Sequence, residues 1–156
     1  MNVVDDLRFK LEAHKTRMAA LEAELEQAKA AVATHRRRME ATRASVTHKF
    51  EYTTRDGVFD VFVIVGLYSD GTPGEVFVRC AKMGSSISGF VDCWAIGASM
   101  LLQLGVPVAK LVEKYEWVRF EPEGAVKMGE EKYQATSLVD AIIKLFKNRY
   151  VPKENP

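Results

Sequence analysis

Residues 74–124, GEVFVRCAKMGSSISGFVDCWAIGASMLLQLGVPVAKLVEKYEWVRFEPEG, constrain this chain more than any other stretch. An alternating apolar run over 75–82 enters the turn Met83-Gly84-Ser85-Ser86-Ile87-Ser88-Gly89, and an apolar helix follows at once. Ser88 is the expected N-cap of that helix, which carries Phe90, Cys93, Trp94, Ile96, Gly97, Met100, Leu101 and Leu104. Apolar residues nearly all round predict a helix buried over the centre of a sheet. Gly105 stops it, and Pro107 suits the first turn of a second helix running to Trp117. Residues 118–121 then read as a short closing strand, ended by Pro122-Glu123-Gly124.

The flanks supply the rest of a two-layer fold. Residues 45–53 alternate as a half-buried strand, and Arg55-Asp56-Gly57 carries an Asp-Gly turn signal. Residues 58–68 are rich in β-branched and aromatic residues and pair back antiparallel. With the strand at 75–82 they predict a three-stranded meander. A loop through Gly129 leads to an amphipathic helix from about Ser137, with apolar face Leu138, Ile142, Ile143, Leu145, Phe146 and Tyr150. The expected fold class is α+β, an antiparallel meander covered by a central and a C-terminal helix over residues 44–151, with 152–156 as a tail.

Residues 1–43 have a different character. Between 5 and 43 there is no Gly and no Pro, and Ala, Glu, Leu, Lys, Arg and Met dominate. Leu7, Leu11, His14, Met18, Leu21, Leu25, Ala28, Val32, His35 and Met39 recur at alternating spacings of four and three. That repeat predicts a coiled-coil helix and a homo-oligomer joined through residues 7–39. In a parallel pair Arg17 faces Glu22 of the other copy and Glu24 faces Lys29, although Lys10 meets Lys15. His35-Arg36-Arg37-Arg38 is the sharpest charge cluster, read as a solvated helix face or as a contact for nucleic-acid phosphates.

Charge and cysteine content narrow the function classes. A formal charge of +1 over 156 residues offers no global attraction to nucleic acid or membrane. No apolar run approaches the ~20 residues that span a bilayer, and the charged start does not resemble a signal peptide. Cys80 and Cys93 sit in apolar segments without metal-ligand spacing, so buried free thiols, a cytoplasmic location and no metal or cofactor are expected. No nucleophile–base pair is visible, and no enzymatic activity is expected.

The residues able to bind something gather at the strand-to-helix turn. Free N–H groups at a helix N-terminus attract phosphate or carboxylate. Gly84 and Gly89 permit close approach, Ser85, Ser86 and Ser88 offer hydroxyls, and Lys82 adds a charge. The alternative is a capped turn whose glycines serve helix–sheet packing. Arg119 and Glu121, on either side of Phe120, form a second candidate contact or an internal ion pair. Asp92 reads as a buried carboxylate paired with Arg119 or Arg79, and Trp94 and Trp117 read as core residues.

Pro73-Gly74-Glu75-Val76-Phe77, Lys82-Met83-Gly84-Ser85, Ser88-Gly89, Gly105-Val106-Pro107 and Arg119-Phe120-Glu121-Pro122, preceded by Arg43-Ala44-Ser45-Val46-Thr47-His48-Lys49-Phe50, recur together in one family. The chain from about 43 to 151 resembles the small C-terminal TSCPD domain of adenosylcobalamin-dependent (class II) ribonucleotide reductases. The catalytic barrel of those enzymes, their radical and reducible cysteines, their cobalamin site and their Cys-rich tail have no counterpart here. The Thr-Ser-Cys-Pro-Asp run is also absent. The resemblance therefore implies a stand-alone accessory module of nucleotide metabolism. Its expected ligand is a nucleotide or other phosphate-bearing molecule, a sequestered signalling nucleotide included, and its expected partner is a reductase. A nucleic-acid-binding protein using Arg36, Arg37, Arg38 and the C-terminal lysines is the competing expectation.

Overall fold

The computed structural model describes residues 3–34, 36–80 and 85–152. The chain divides into two units, one ending at Arg36 and one beginning at Arg37. The first is helix α1, Val3–Thr34. Within it Lys15 pairs with Glu12 at 2.9 Å and Lys29 with Glu26 at 2.8 Å, while Leu11, Met18, Leu21 and Leu25 are exposed. The helix is shorter than its composition predicts. His35 lies outside the described residues, and Arg36, Arg37, Arg38 and Met39 stand in irregular chain after the helix.

Tertiary bonds explain why the helical composition of 36–43 is overridden. The Arg37 N–H donates to the Gln103 carbonyl at 2.9 Å, and the Tyr68 hydroxyl donates to the Arg37 carbonyl. A Cβ on Gly74 would collide with the Met39 sulfur and the Tyr68 ring, so this strap lies hard against the sheet. Arg43 forms a short ion pair with the nearly buried Glu75.

The second unit is built on one antiparallel sheet of five strands: β1 (Ser45–Thr54), β2 (Gly57–Leu67), β3 (Pro73–Cys80), β4 (Gly124–Met128) and β5 (Glu131–Ala135), in the order β3-β2-β1-β4-β5. The β1–β2–β3 meander matches the sequence pattern, with Gly57 at φ 136° in the first turn. Three helices complete the unit: α2 (Ser85–Gln103), α3 (Val108–Tyr115) and α4 (Leu138–Tyr150). The inward side chains Phe50, Tyr52, Val61, Val63, Val65, Val76 and Val126 are all but fully buried.

Three expectations are corrected. Residues 118–121 are not a strand; their one ladder-like bond runs from the Phe120 N–H to the Thr136 carbonyl at 3.2 Å, ahead of a cis Glu121-Pro122 bond. The expected loop through Gly129 is instead the β4–β5 hairpin. Its two-residue turn, Gly129-Glu130, has Gly129 at φ 60°. The enclosed helix is α4 rather than α2: its residues Leu138 to Ile143, with Leu145 and Phe146, are buried on every side. Ser137 caps α4 by accepting from the Asp140 N–H. By contrast α2 buries Val91, Ala95, Ala98 and Leu102, half-buries Ile87, Trp94 and Leu101 against the core, and exposes Phe90, Ile96 and Met100.

Candidate functional site

Helix α2 starts at Ser85, so Ser88 ends its first turn rather than capping it. Lys82 and Gly84 lie outside the described residues, as does the Ser85 side chain. Ser86 and Gly89 are exposed and Ser88 is half-buried. A Cβ on Gly89 or Gly97 would meet open space, so helix–sheet packing does not account for either glycine.

From this turn an apolar face runs along α2 and into the turn after it: Gly89, Phe90, Cys93, Ile96, Gly97, Met100 and then Leu104 are all exposed, Phe90 at 66% and Ile96 at 62%. The spacings of three and four place them on one side of the helix. Asp92 is the single charge on α2; it is half-exposed rather than buried and pairs with Arg79 at 3.0 Å. The thiols differ from expectation too. Cys93 is exposed, while burial pushes the half-buried Cys80 thiol up to about 11.

The Arg119–Glu121 segment divides around Phe120. Phe120 packs edge-on against Phe90, ring centroids 6.0 Å apart, which sets this segment beside the start of α2. Arg119 pairs with Glu123 at 3.3 Å and lines a recess with Trp117 and Arg55, and Glu121 is exposed. Of the basic cluster, Arg37 pairs with Asp70 at 3.2 Å and lies 3.9 Å over the Tyr68 ring. The Thr72 hydroxyl and N–H, then Arg37, hold the Asp70 carboxyl down to about 2. Arg36 and Arg38 are exposed. The C-terminal lysines are also engaged, Lys144 by Asp140 at 2.8 Å and Lys147 by Glu116 at 2.9 Å.

Sequence reasoning missed the polar hub of the domain. Asp140 has no exposed surface, and its carboxylate accepts from the Trp117 N–H (2.7 Å), the Thr136 N–H (2.9 Å), the Thr136 hydroxyl (3.2 Å) and the Lys144 ammonium (2.8 Å). Burial opposes its ionisation, but the bonds from Lys144, Thr136 and Trp117 outweigh it and hold the carboxyl below its ordinary value. The available signal was Ser137-Leu138-Val139-Asp140, an N-cap followed at N3 by an acid. Among the described residues there is no cluster of His, Cys, Asp and Glu able to hold a metal, and no described helix is long and apolar enough to cross a membrane.

A five-stranded antiparallel sheet with a buried C-terminal helix and a second helix carrying an exposed apolar face defines a small α+β domain. The TSCPD domain model matches residues 26–150, and the chain belongs to that family. It is 41% identical over 107 residues to the vitamin B12-dependent ribonucleotide reductase of Rhodopirellula baltica, covering 69% of this chain and 10% of that protein. The Streptomyces coelicolor enzyme of the same name is 32% identical over 119 residues, 76% of this chain and 12% of its own length. That of Bradyrhizobium diazoefficiens is 35% identical over 88 residues, covering 56% and 7%. The chain thus spans about a tenth of the length of these relatives. No solved structure matches it.

Proposed function

We propose that this chain is a non-catalytic binding module of the ribonucleotide reductase type, which docks as an oligomer against a protein surface and takes a phosphate-bearing nucleotide at the start of α2. The observation that carries this reading is the α2 face. Phe90, Cys93, Ile96 and Met100 form an exposed apolar surface that begins at the Gly/Ser-rich turn. Exposed apolar patches rimmed by polar residues mark interaction sites. In the relatives the matching segment is a small part of a much longer chain. The free N–H groups of the α2 first turn, with Ser86 and Ser88, suit a phosphate. The heptad face of α1 contributes self-association, with a second copy or a reductase on α2.

Light scattering on the full chain tests the docking surfaces. Ile96→Glu/Met100→Glu is expected to lower the association number or abolish binding to a class II reductase, with Tm within about 2 °C of wild type because both side chains are solvent-facing. Leu21→Glu/Leu25→Glu reports the α1 contribution separately. If both double variants keep the wild-type mass and reductase binding, the docking reading fails. Calorimetric titration with ATP, dATP and cyclic dinucleotides tests the ligand: saturable heat should weaken at least tenfold in Ser86→Ala/Ser88→Ala, and flat titrations across the panel remove the nucleotide.

A further inference from the structure

Trp117 stands where the fold asks for glycine. Residues 115–118 form a turn in which the Val118 N–H reaches back to the Tyr115 carbonyl at 3.3 Å. Glu116 has φ −62° and ψ 132°, and Trp117 has φ 69°, the geometry of a type II turn with Trp117 at the third position. That position favours Gly or Asn, and a bulky residue there is strained. Trp117 is the one non-glycine residue at positive φ among the described residues.

The backbone turn aims the Trp117 N–H at Asp140, but the indole does not serve the core, because Trp117 is 65% exposed. Two buried groups nevertheless hold it in place. The Asp140 carboxylate takes the Trp117 N–H, and the Lys144 ammonium sits 3.7 Å from the indole centroid while also donating to Asp140 and to the Gln134 carbonyl. A fixed, strained, outward-facing indole is the arrangement expected of a recognition surface.

Beside it lies an open recess of about 520 Å³, whose rim includes Arg55, Arg119, Thr54 and Gln134. Both guanidiniums are accessible and weakly committed. Arg55 is 85% exposed with Asp56 at 3.8 Å, and Arg119 has Glu123 at 3.3 Å. Exposed pairs of this kind contribute little and yield readily to a phosphate, which a guanidinium binds through two parallel hydrogen bonds.

We propose that the Trp117 recess is a binding site for a nucleoside phosphate, with the base stacked on the Trp117 indole and the phosphates held by Arg55 and Arg119. Aromatic stacking accepts any base, and two arginines match a short phosphate chain. Each arginine brings its own acid, so the local field is close to neutral, which disfavours a polyanionic strand. This site is separate from the one at the start of α2.

The test uses the full chain carrying Trp94→Phe. Trp94 has a buried indole N–H without an acceptor among the described residues, so Phe removes an unpaired donor while keeping an aromatic ring against Tyr115, and the protein should remain folded. Trp117 is then the sole tryptophan and can be excited selectively at the red edge of its absorption, where tyrosine does not absorb. Titration with ATP or dATP should quench it saturably, Arg55→Ala/Arg119→Ala should weaken binding at least tenfold, and Ser86→Ala/Ser88→Ala should leave the quench intact. Trp117→Gly, read by calorimetry, should lose binding while keeping Tm, since glycine suits the turn. Absence of quenching at millimolar nucleotide overturns the proposal. So does quenching by an oligothymidylate alone, or a Trp117→Gly protein that melts several degrees lower yet binds ATP normally.

Discussion

Asp140→Ala should cost this domain about 3–5 kcal/mol, the usual effect of removing one partner from a buried ion pair. Lys144 is left behind with its side chain only 11% exposed, and the Trp117 and Thr136 N–H groups lose their acceptor. At this size the loss corresponds to a fall of roughly 10 °C or more in Tm. The same carboxylate sets a pH dependence with a definite sign. Its folded pKa lies below that of the unfolded chain, so its contribution is present above about pH 4 and is lost as pH falls further. The gap in Tm between wild type and Asp140→Asn should therefore narrow as melts move from pH 6 to pH 3. A gap that stays constant or widens on acidification would show that the carboxylate charge is not what stabilises the hub.

Gly124→Ala should be disruptive because it meets backbone rather than a movable side chain, at about 1–3 kcal/mol. A Cβ at Gly124 would lie 2.5 Å from the Thr53 carbonyl oxygen and 3.0 Å from the Tyr52 ring. The carbonyl belongs to the β1–β4 ladder and cannot retreat without breaking it. Tyr52 is itself fixed, fully buried and donating to the Pro122 carbonyl at 2.7 Å. Chemical denaturation read by circular dichroism gives the number. Gly129→Ala makes the comparison, because open space surrounds that position and only its φ of 60° resists the change. Equal losses at the two sites would mean that backbone conformation, rather than the close approach of β1, dictates Gly124.

The parts legible in the sequence were those written in local periodicity. The β1–β2–β3 meander follows from alternation and from Asp56-Gly57, and the α4 start follows from Ser137. The family resemblance, resting on six short runs between Arg43 and Pro122, holds over the matched region. What was missed depends on partners distant in sequence. Residues 36–43 have helical composition, but Gln103, Tyr68 and Gly74 bind them as a strap. Apolar content suggested that α2 is enclosed and α4 amphipathic, yet enclosure depends on which helix the five-stranded sheet and α3 surround. The β4–β5 hairpin was passed over because Lys127, Glu131 and Lys132 mask its alternation. At the candidate site Ser86 and Gly89 are open to solvent, while Arg119 lines the recess beside Trp117. Trp117 was read as core because its spacing says nothing of its backbone angle.

The strand order has a consequence for colloidal behaviour. A sheet ordered β3-β2-β1-β4-β5 ends in two strands that other chains could extend. At one edge β5 is five residues long and carries the exposed charges of Glu131 and Lys132. At the other, β3 opens with Pro73, which has no N–H to donate. Short, charged or proline-bearing edges resist fibrillar growth. Thioflavin-positive fibres should therefore not form when this protein is held at high concentration.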